Sequence, residues 1–168
     1  LKSFGDWTLA AQGRGAANVA LQIDSGATLE INTDHYVTGD ETAETPATHK
    51  VTLTGRVGGA GGMLLSGGGE VVFDYASTYS GGTTVTNSLT LAVNNASSPG
   101  SGAVKMERGT TLLFPKAGVG TTADMGAITL AGDNTVVFSN MTSGVTAATA
   151  ASLTLSNPAT TTFAIEGE

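Results

Sequence analysis

The sequence predicts an all-β chain wound as a parallel β-helix (a β-solenoid), with about seven coils of about 20–25 residues. Three observations predict it. Apolar residues recur two apart within short segments, which is the periodicity of strands and not of helices. The segments come in pairs at a fixed spacing: from Met63, apolar side chains fall at offsets 0, +2, +8 and +10, which are Met63, Leu65, Val71 and Phe73. The same offsets give Thr83, Val85, Leu91 and Val93, then Val104, Met106, Leu112 and Phe114. Third, the joints are short Gly/Ser/Asn turns. One such unit cannot bury its own inner face, but units stacked on one another form a continuous core.

In chain order, residues 1–18 are irregular, with Phe4, Trp7 and Leu9 as their apolar part. Trp7 is the only tryptophan and is expected to cap the first coil. Leu21, Ile23, Leu29 and Ile31 read as the first full unit. Residues 33–50 break the rhythm and read as an inserted loop. Residues 51–61 read as a degenerate unit: Val51 and Leu53 fill the first segment, while Gly59 and Gly61 stand where the second needs side chains. Residues 61–114 hold the best-matching repeats. Ile128, Leu130, Val136 and Phe138 follow, after a connection with Pro115 and Gly118. Leu153, Leu155, Thr161 and Phe163 close the series, after a Thr/Ala-rich loop at 142–151. No linker interrupts residues 1–168, which read as a single β-helix domain.

Composition agrees. Apolar residues make up 40% of 168, enough for a sizeable core. Charged residues are only 12%, about half of the ~25% usual in globular domains. Secreted β-solenoids have this profile more often than intracellular enzymes. The net charge of −7, without a Lys/Arg cluster, argues against nucleic acid as a partner. No cysteine is present, so disulfides and thiolate metal sites are excluded. No apolar run approaches the ~18 residues of a spanning helix, and no membrane insertion of this segment is expected. The chain opens at Leu1 with neither Met nor a signal peptide, and reads as a mature or excised fragment.

Two surfaces are candidates for contacts. The loop 33–50 holds both histidines and four of the fourteen acids. Its candidate interaction residues are Asp34, His35, Tyr36, Asp40, Glu41, Glu44 and His49. The ligand types suit a divalent cation, but the spacing matches no metal motif, so a solvated or recognition loop is expected and no metal or cofactor. The second surface is offset +9, which should point outward. It reads Glu30, Val72, Ala92, Leu113, Val137 and Thr162. Val72, Ala92, Leu113 and Val137 are too apolar for a solvated face and form a candidate packing face. The other outward column, at +1 and +3, has Thr pairs that Lys105 and Glu107 interrupt, which weighs against ice binding.

Enzyme chemistry finds little support. A glycosidase needs two carboxylates about 5–10 Å apart, yet Asp24 and Glu107 share an offset on distant coils, and Asp74 is followed by Asn94. Arg14, Arg56 and Arg108 are scattered. The Gly clusters lack the Lys-Ser/Thr of a phosphate loop. No Gly-x-Ser-x-Gly elbow is present.

The run Gly61-Gly-Met-Leu-Leu-Ser-Gly-Gly-Gly-Glu-Val-Val-Phe73, followed by Tyr79-Ser-Gly-Gly-Thr-Thr-Val85, resembles the passenger-associated transport repeat of Gram-negative autotransporters. The match covers residues 61–93. The resemblance implies a right-handed β-helix at the cell surface or released from it, in which the repeat is scaffold and not catalytic. A C-terminal translocating barrel is not part of the sequence. The expected function is therefore a non-enzymatic extracellular scaffold or adhesin, a segment of an autotransporter-like surface protein. Its partners would be further copies, the rest of a longer β-helix, or a host or cell-surface ligand. The alternative is a filament or layer subunit that stacks through open coil ends. A carbohydrate-active β-helix enzyme is the third reading.

Overall fold

The computed structural model describes residues 7–9, 19–34, 49–94, 99–115, 123–139, 148–156 and 160–166. Its strands are β1 (Trp7–Leu9), β2 (Val19–Ile23), β3 (Thr28–Asn32), β4 (Lys50–Leu53), β5 (Arg56–Gly59), β6 (Gly62–Ser66), β7 (Glu70–Phe73), β8 (Thr83–Val85) and β9 (Thr90–Val93). They continue with β10 (Val104–Met106), β11 (Thr111–Phe114), β12 (Ala123–Ala131), β13 (Asn134–Ser139), β14 (Ala148–Ser156) and β15 (Thr161–Glu166). Among the described residues there is no helix.

Every pairing between these strands is parallel. One sheet has seven strands in the order β1-β4-β7-β9-β11-β13-β15. A second has six, β14-β12-β10-β8-β6-β3, and β2 and β5 form a third. The chain alternates between the two large sheets, adding one strand to each per lap, which makes the molecule a β-solenoid. About four turns, β6–β7, β8–β9, β10–β11 and β12–β13, are its regular body.

The repeat spacing becomes a register. Met63, Thr83, Val104, Ile128 and Leu153 align, as do Leu65, Val85, Met106, Leu130 and Leu155. In the facing sheet Val71 aligns with Leu91, and Leu112 with Leu91 and Val136. Leu65, Val71, Phe73, Val85, Leu91 and Met106 are buried in one core cluster between the sheets. The joints from β6 to β7, β8 to β9 and β10 to β11 are tight turns, whereas β7 to β8 and β9 to β10 take longer paths. Between β8 and β9, Asn87 and Ser88 take positive φ of 58° and 63°, a conformation that small polar side chains tolerate by bonding the nearby backbone.

The N-terminal units are phased differently from the expectation. Leu21 and Ile23 lie in β2 against β5, with Leu21 opposite Val57 and Ile23 opposite Gly59. Leu29 and Ile31 pair with Met63 and Leu65, so they belong to the six-stranded sheet. Val51 and Leu53 pair with Val71 and Phe73 in the seven-stranded sheet and are the second half of that lap, not the first half of a degenerate one. The physical reason is that a corner takes a similar number of residues wherever it falls. A step of eight residues leads from Ile23 to Ile31 round one corner, and from Leu65 to Phe73 round the next. The last unit is also shifted: Phe163 aligns with Val136 and Ile165 with Phe138, whereas Thr161 aligns with Asn134. β14 starts at Ala148, inside the stretch expected to be loop.

The two ends of the stack are unlike. At the N-terminal end, in the edge strands β2 and β3, Ile23 is 4% exposed and Ile31 1%, while Leu21 and Leu29 are only partly buried against the core. At the C-terminal end, among the described residues, no further strand pairs with β14 or β15. Leu153, Leu155, Phe163 and Ile165 hold inward register positions but are 51%, 60%, 53% and 73% exposed. Trp7 belongs to β1, the N-terminal edge strand of the seven-stranded sheet, opposite Val51.

Candidate functional site

The inserted loop leaves and re-enters the solenoid at one corner. The His49 N–H donates to the Thr33 carbonyl at 3.1 Å, so the excursion closes on itself between β3 and β4. The corner is tied to the next lap by side chains. Thr33 Oγ1 donates to the Ser66 carbonyl and accepts from the Gly69 N–H. Asp34 Oδ1 accepts from the Gly68 N–H at 2.7 Å, while the Asp34 N–H donates to Asn32 Oδ1. Lys50 and Glu70 pair across the same two laps at 3.2 Å. Asp34 therefore anchors the root of the excursion. Its neighbour Gly67, at φ +101°, and Gly69, where a Cβ would fall 2.1 Å from the His49 carbonyl, leave the room this root requires. His35, Tyr36, Asp40, Glu41 and Glu44 lie outside the described residues. Among the described residues, no three His, Asp or Glu side chains group as a metal site would need.

The apolar outer column is real in register but differs in membership. Val72, Ala92, Leu113 and Val137 align on the seven-stranded sheet. Thr52 precedes them and Ala164 follows. Glu30 instead pairs with Leu64 in the other large sheet, and Thr162 with Thr135. Val72 and Ala92 are 4% and 0% exposed, yet neither belongs to the core cluster. The face is thus closed within the chain over β7 and β9, and partly open over β11 and β13, where Leu113 and Val137 sit. A side chain already covered at Val72 has little area left for a partner, so Leu113 and Val137 are the accessible part of this column.

The Tyr79–Val85 motif proves to be a packing device. Tyr79 is fully buried, its ring 6.5 Å from that of Phe73. Its hydroxyl is bonded to Thr83 Oγ1, which in turn reaches the Pro99 carbonyl at 3.4 Å. A buried hydroxyl needs such a partner. That explains why a threonine holds an inward position between Met63 and Val104, where the other laps place apolar residues. Burial pushes the Tyr79 hydroxyl well above the usual phenol range, and the Thr83 bond offsets only part of this.

A testable consequence follows from that pair. Thr83→Val strands the Tyr79 hydroxyl and should cost about 1–3 kcal/mol, read as a lower denaturation midpoint. Adding Tyr79→Phe removes the stranded group and should recover most of the loss. The pH sign is fixed too. A phenol raised in the folded state stabilises the fold below ~10, the unfolded value, and that stability is lost as the pH rises beyond it. Alkaline destabilisation should shrink in Tyr79→Phe.

A shallow groove of about 600 Å3 runs along one corner of the six-stranded sheet. Gly62, Gly81, Gly82, Thr28 and Thr84 are among its lining, and Lys105 is the only charged residue among the described lining residues. Lys105 is itself paired with Glu107 at 3.1 Å. This lining offers hydroxyls and backbone but no carboxylate or imidazole for acid–base work. Comparison with protein-family models, curated proteins and solved structures returned no match.

Proposed function

We propose that this chain is a non-enzymatic scaffold or adhesin, a segment of an autotransporter-like protein on the surface of a Gram-negative bacterium. In this reading it is a right-handed β-helix of seven coils, one for each strand of the larger sheet. The observation that carries the proposal is the structural use of the repeat-like motif. Tyr79 fills the core, Gly81 lies against the lap before it, and Thr83 bonds the buried hydroxyl. A motif spent entirely on stacking laps fits a repeat whose role is scaffold. The loop rooted at Thr33 and His49 is the contact surface in this reading, since loops joining the strands of a framework often carry recognition.

Protease treatment of intact producing cells tests this. The chain should be cleaved without lysis, in step with known surface proteins. Protection until the cells are broken open would overturn the reading. A head-to-tail filament needs open, matching ends on both sides of the stack. At the N-terminal end Ile23 and Ile31 are buried and Leu21 and Leu29 only partly open, which favours the scaffold over that alternative.

A further inference from the structure

We infer that the groove along β6, β8 and β10 binds a short, neutral oligosaccharide. The inference rests on the adhesin part of the proposed function and names its ligand class and site. The groove runs along the side of the stack, with residues of β3, β6, β8 and β10 among its lining. Further laps at either end would therefore leave it open.

Three features carry the inference. The first is the chemistry of the lining. Thr28 and Ser80 are exposed and Thr84 is half-buried, and such hydroxyls both donate and accept hydrogen bonds. Half-buried Leu64 and exposed Ala103 add apolar surface beside them. A sugar ring has the same two-sided character, with hydroxyls at its edge and C–H groups on its faces. The second feature is an open peptide group. The Gly81 carbonyl and the Gly82 N–H, which share one peptide bond, have no hydrogen-bond partner among the described residues. Both glycines line the groove. A peptide group that the fold leaves unpaired is completed by water or by a ligand. The third is size. About 600 Å3 falls within the ~300–1,000 Å3 of small-ligand sites.

The same features weigh against other occupants. A peptide that adds as a strand needs a sheet edge with a row of free N–H and C=O groups. β6, β8 and β10 are each paired on both sides, so the groove offers no such edge. An anionic glycan needs an unspent cation. Lys105, the charged residue of the described lining, is already paired with Glu107 at 3.1 Å, and the chain carries a net charge of −7. A neutral ligand avoids that repulsion.

The purified chain, screened against an array of neutral, sialylated and sulfated oligosaccharides and then titrated calorimetrically, tests this. A neutral oligosaccharide should bind with a Kd of about 1 mM or below. Ala103→Leu fills the groove from an exposed position and should weaken binding at least about 10-fold. Thr84→Val removes one hydroxyl at similar volume and should weaken it about 3–10-fold. Thr129→Val makes the same change one lap beyond Lys105, outside the groove, and should leave binding unchanged. Circular dichroism will show that all three variants fold. Binding of no neutral glycan overturns the inference, as does binding of sialylated or sulfated glycans alone. Binding that survives Ala103→Leu, or that falls equally with Thr129→Val, overturns it too. Cleavage of the chain on intact cells with no glycan bound would remove the ligand and keep the surface scaffold, so the two readings fail separately.

Discussion

Gly81→Ala should unfold the solenoid far more readily than its size suggests, at a cost of about 4 kcal/mol or more. A Cβ at Gly81 would lie 2.4 Å from the Gly61 carbonyl carbon and 2.6 Å from the Gly62 nitrogen. These are backbone atoms of the lap beneath, and the Gly81 N–H donates to the Gly61 carbonyl at 3.1 Å. They cannot swing aside as a flexible side chain would. The same crowding recurs up the corner. A Cβ at Gly102 would come 2.4 Å from the Gly82 nitrogen, and one at Gly126 2.6 Å from the Gly102 carbonyl oxygen. To admit one methyl, two laps must part, and the ladders on either side are strained. Gly26→Ala is the control. There φ is +78° but nothing lies within 4 Å, so only the left-handed conformation is penalised, about 1–2 kcal/mol. Thermal unfolding followed by circular dichroism should separate the two, with Gly81→Ala lowering Tm by about 10 °C or more. Equal losses would mean that close approach of the laps is not what the corner glycines serve.

Phe73→Ala should cost about 3–5 kcal/mol, the range for deleting a fully buried ring. Phe73 is 0% exposed, lies in register between Leu53 and Val93, and packs near Tyr79. No neighbour can move in to fill the space, because each is held by its own ladder. Phe163→Ala removes the same atoms at the open end, where the side chain is 53% exposed. In dilute solution it should cost about 1–2 kcal/mol, since much of its surface is already in water. Denaturant unfolding of both variants gives the comparison. A ratio near one would contradict the picture of a core that is dense in the middle laps and open at the last.

The two candidate surfaces were legible to different degrees. The alignment of Val72, Ala92, Leu113 and Val137 follows from spacing alone, because laps of 20 to 24 residues repeat the same offset. Their accessibility does not. Val72 and Ala92 are buried while Leu113 and Val137 are partly open, and no local pattern encodes that difference. The inserted loop was visible as a break in rhythm and a cluster of acids. That Asp34 is used at its root, accepting from Gly68 thirty-four residues on, depends on which lap lies beneath. Thr83 was placed in the core by its offset, but the reason for a hydroxyl there came only with the neighbouring Tyr79 hydroxyl.

By itself, the sequence determined that this chain forms strands, that they return every twenty residues or so, and that the positions at the repeat offsets between Met63 and Phe138 face inward, but not that Tyr79, Leu89, Ala123 and Met125 join the same core. These are local properties: alternation sets the faces, and glycine-rich joints set the turns. Only the tertiary structure decided which sheet each pair of strands joins and how far the inward side chains at each end are exposed. Corners of similar length look alike along the chain, so Leu21 to Ile31 fits either phase, and the pairing of β3 with β6 decides between them. Closure of an end depends on what covers the last lap in space. Ile31 and Leu155 both sit in edge strands at inward positions, yet one is buried and the other open to solvent.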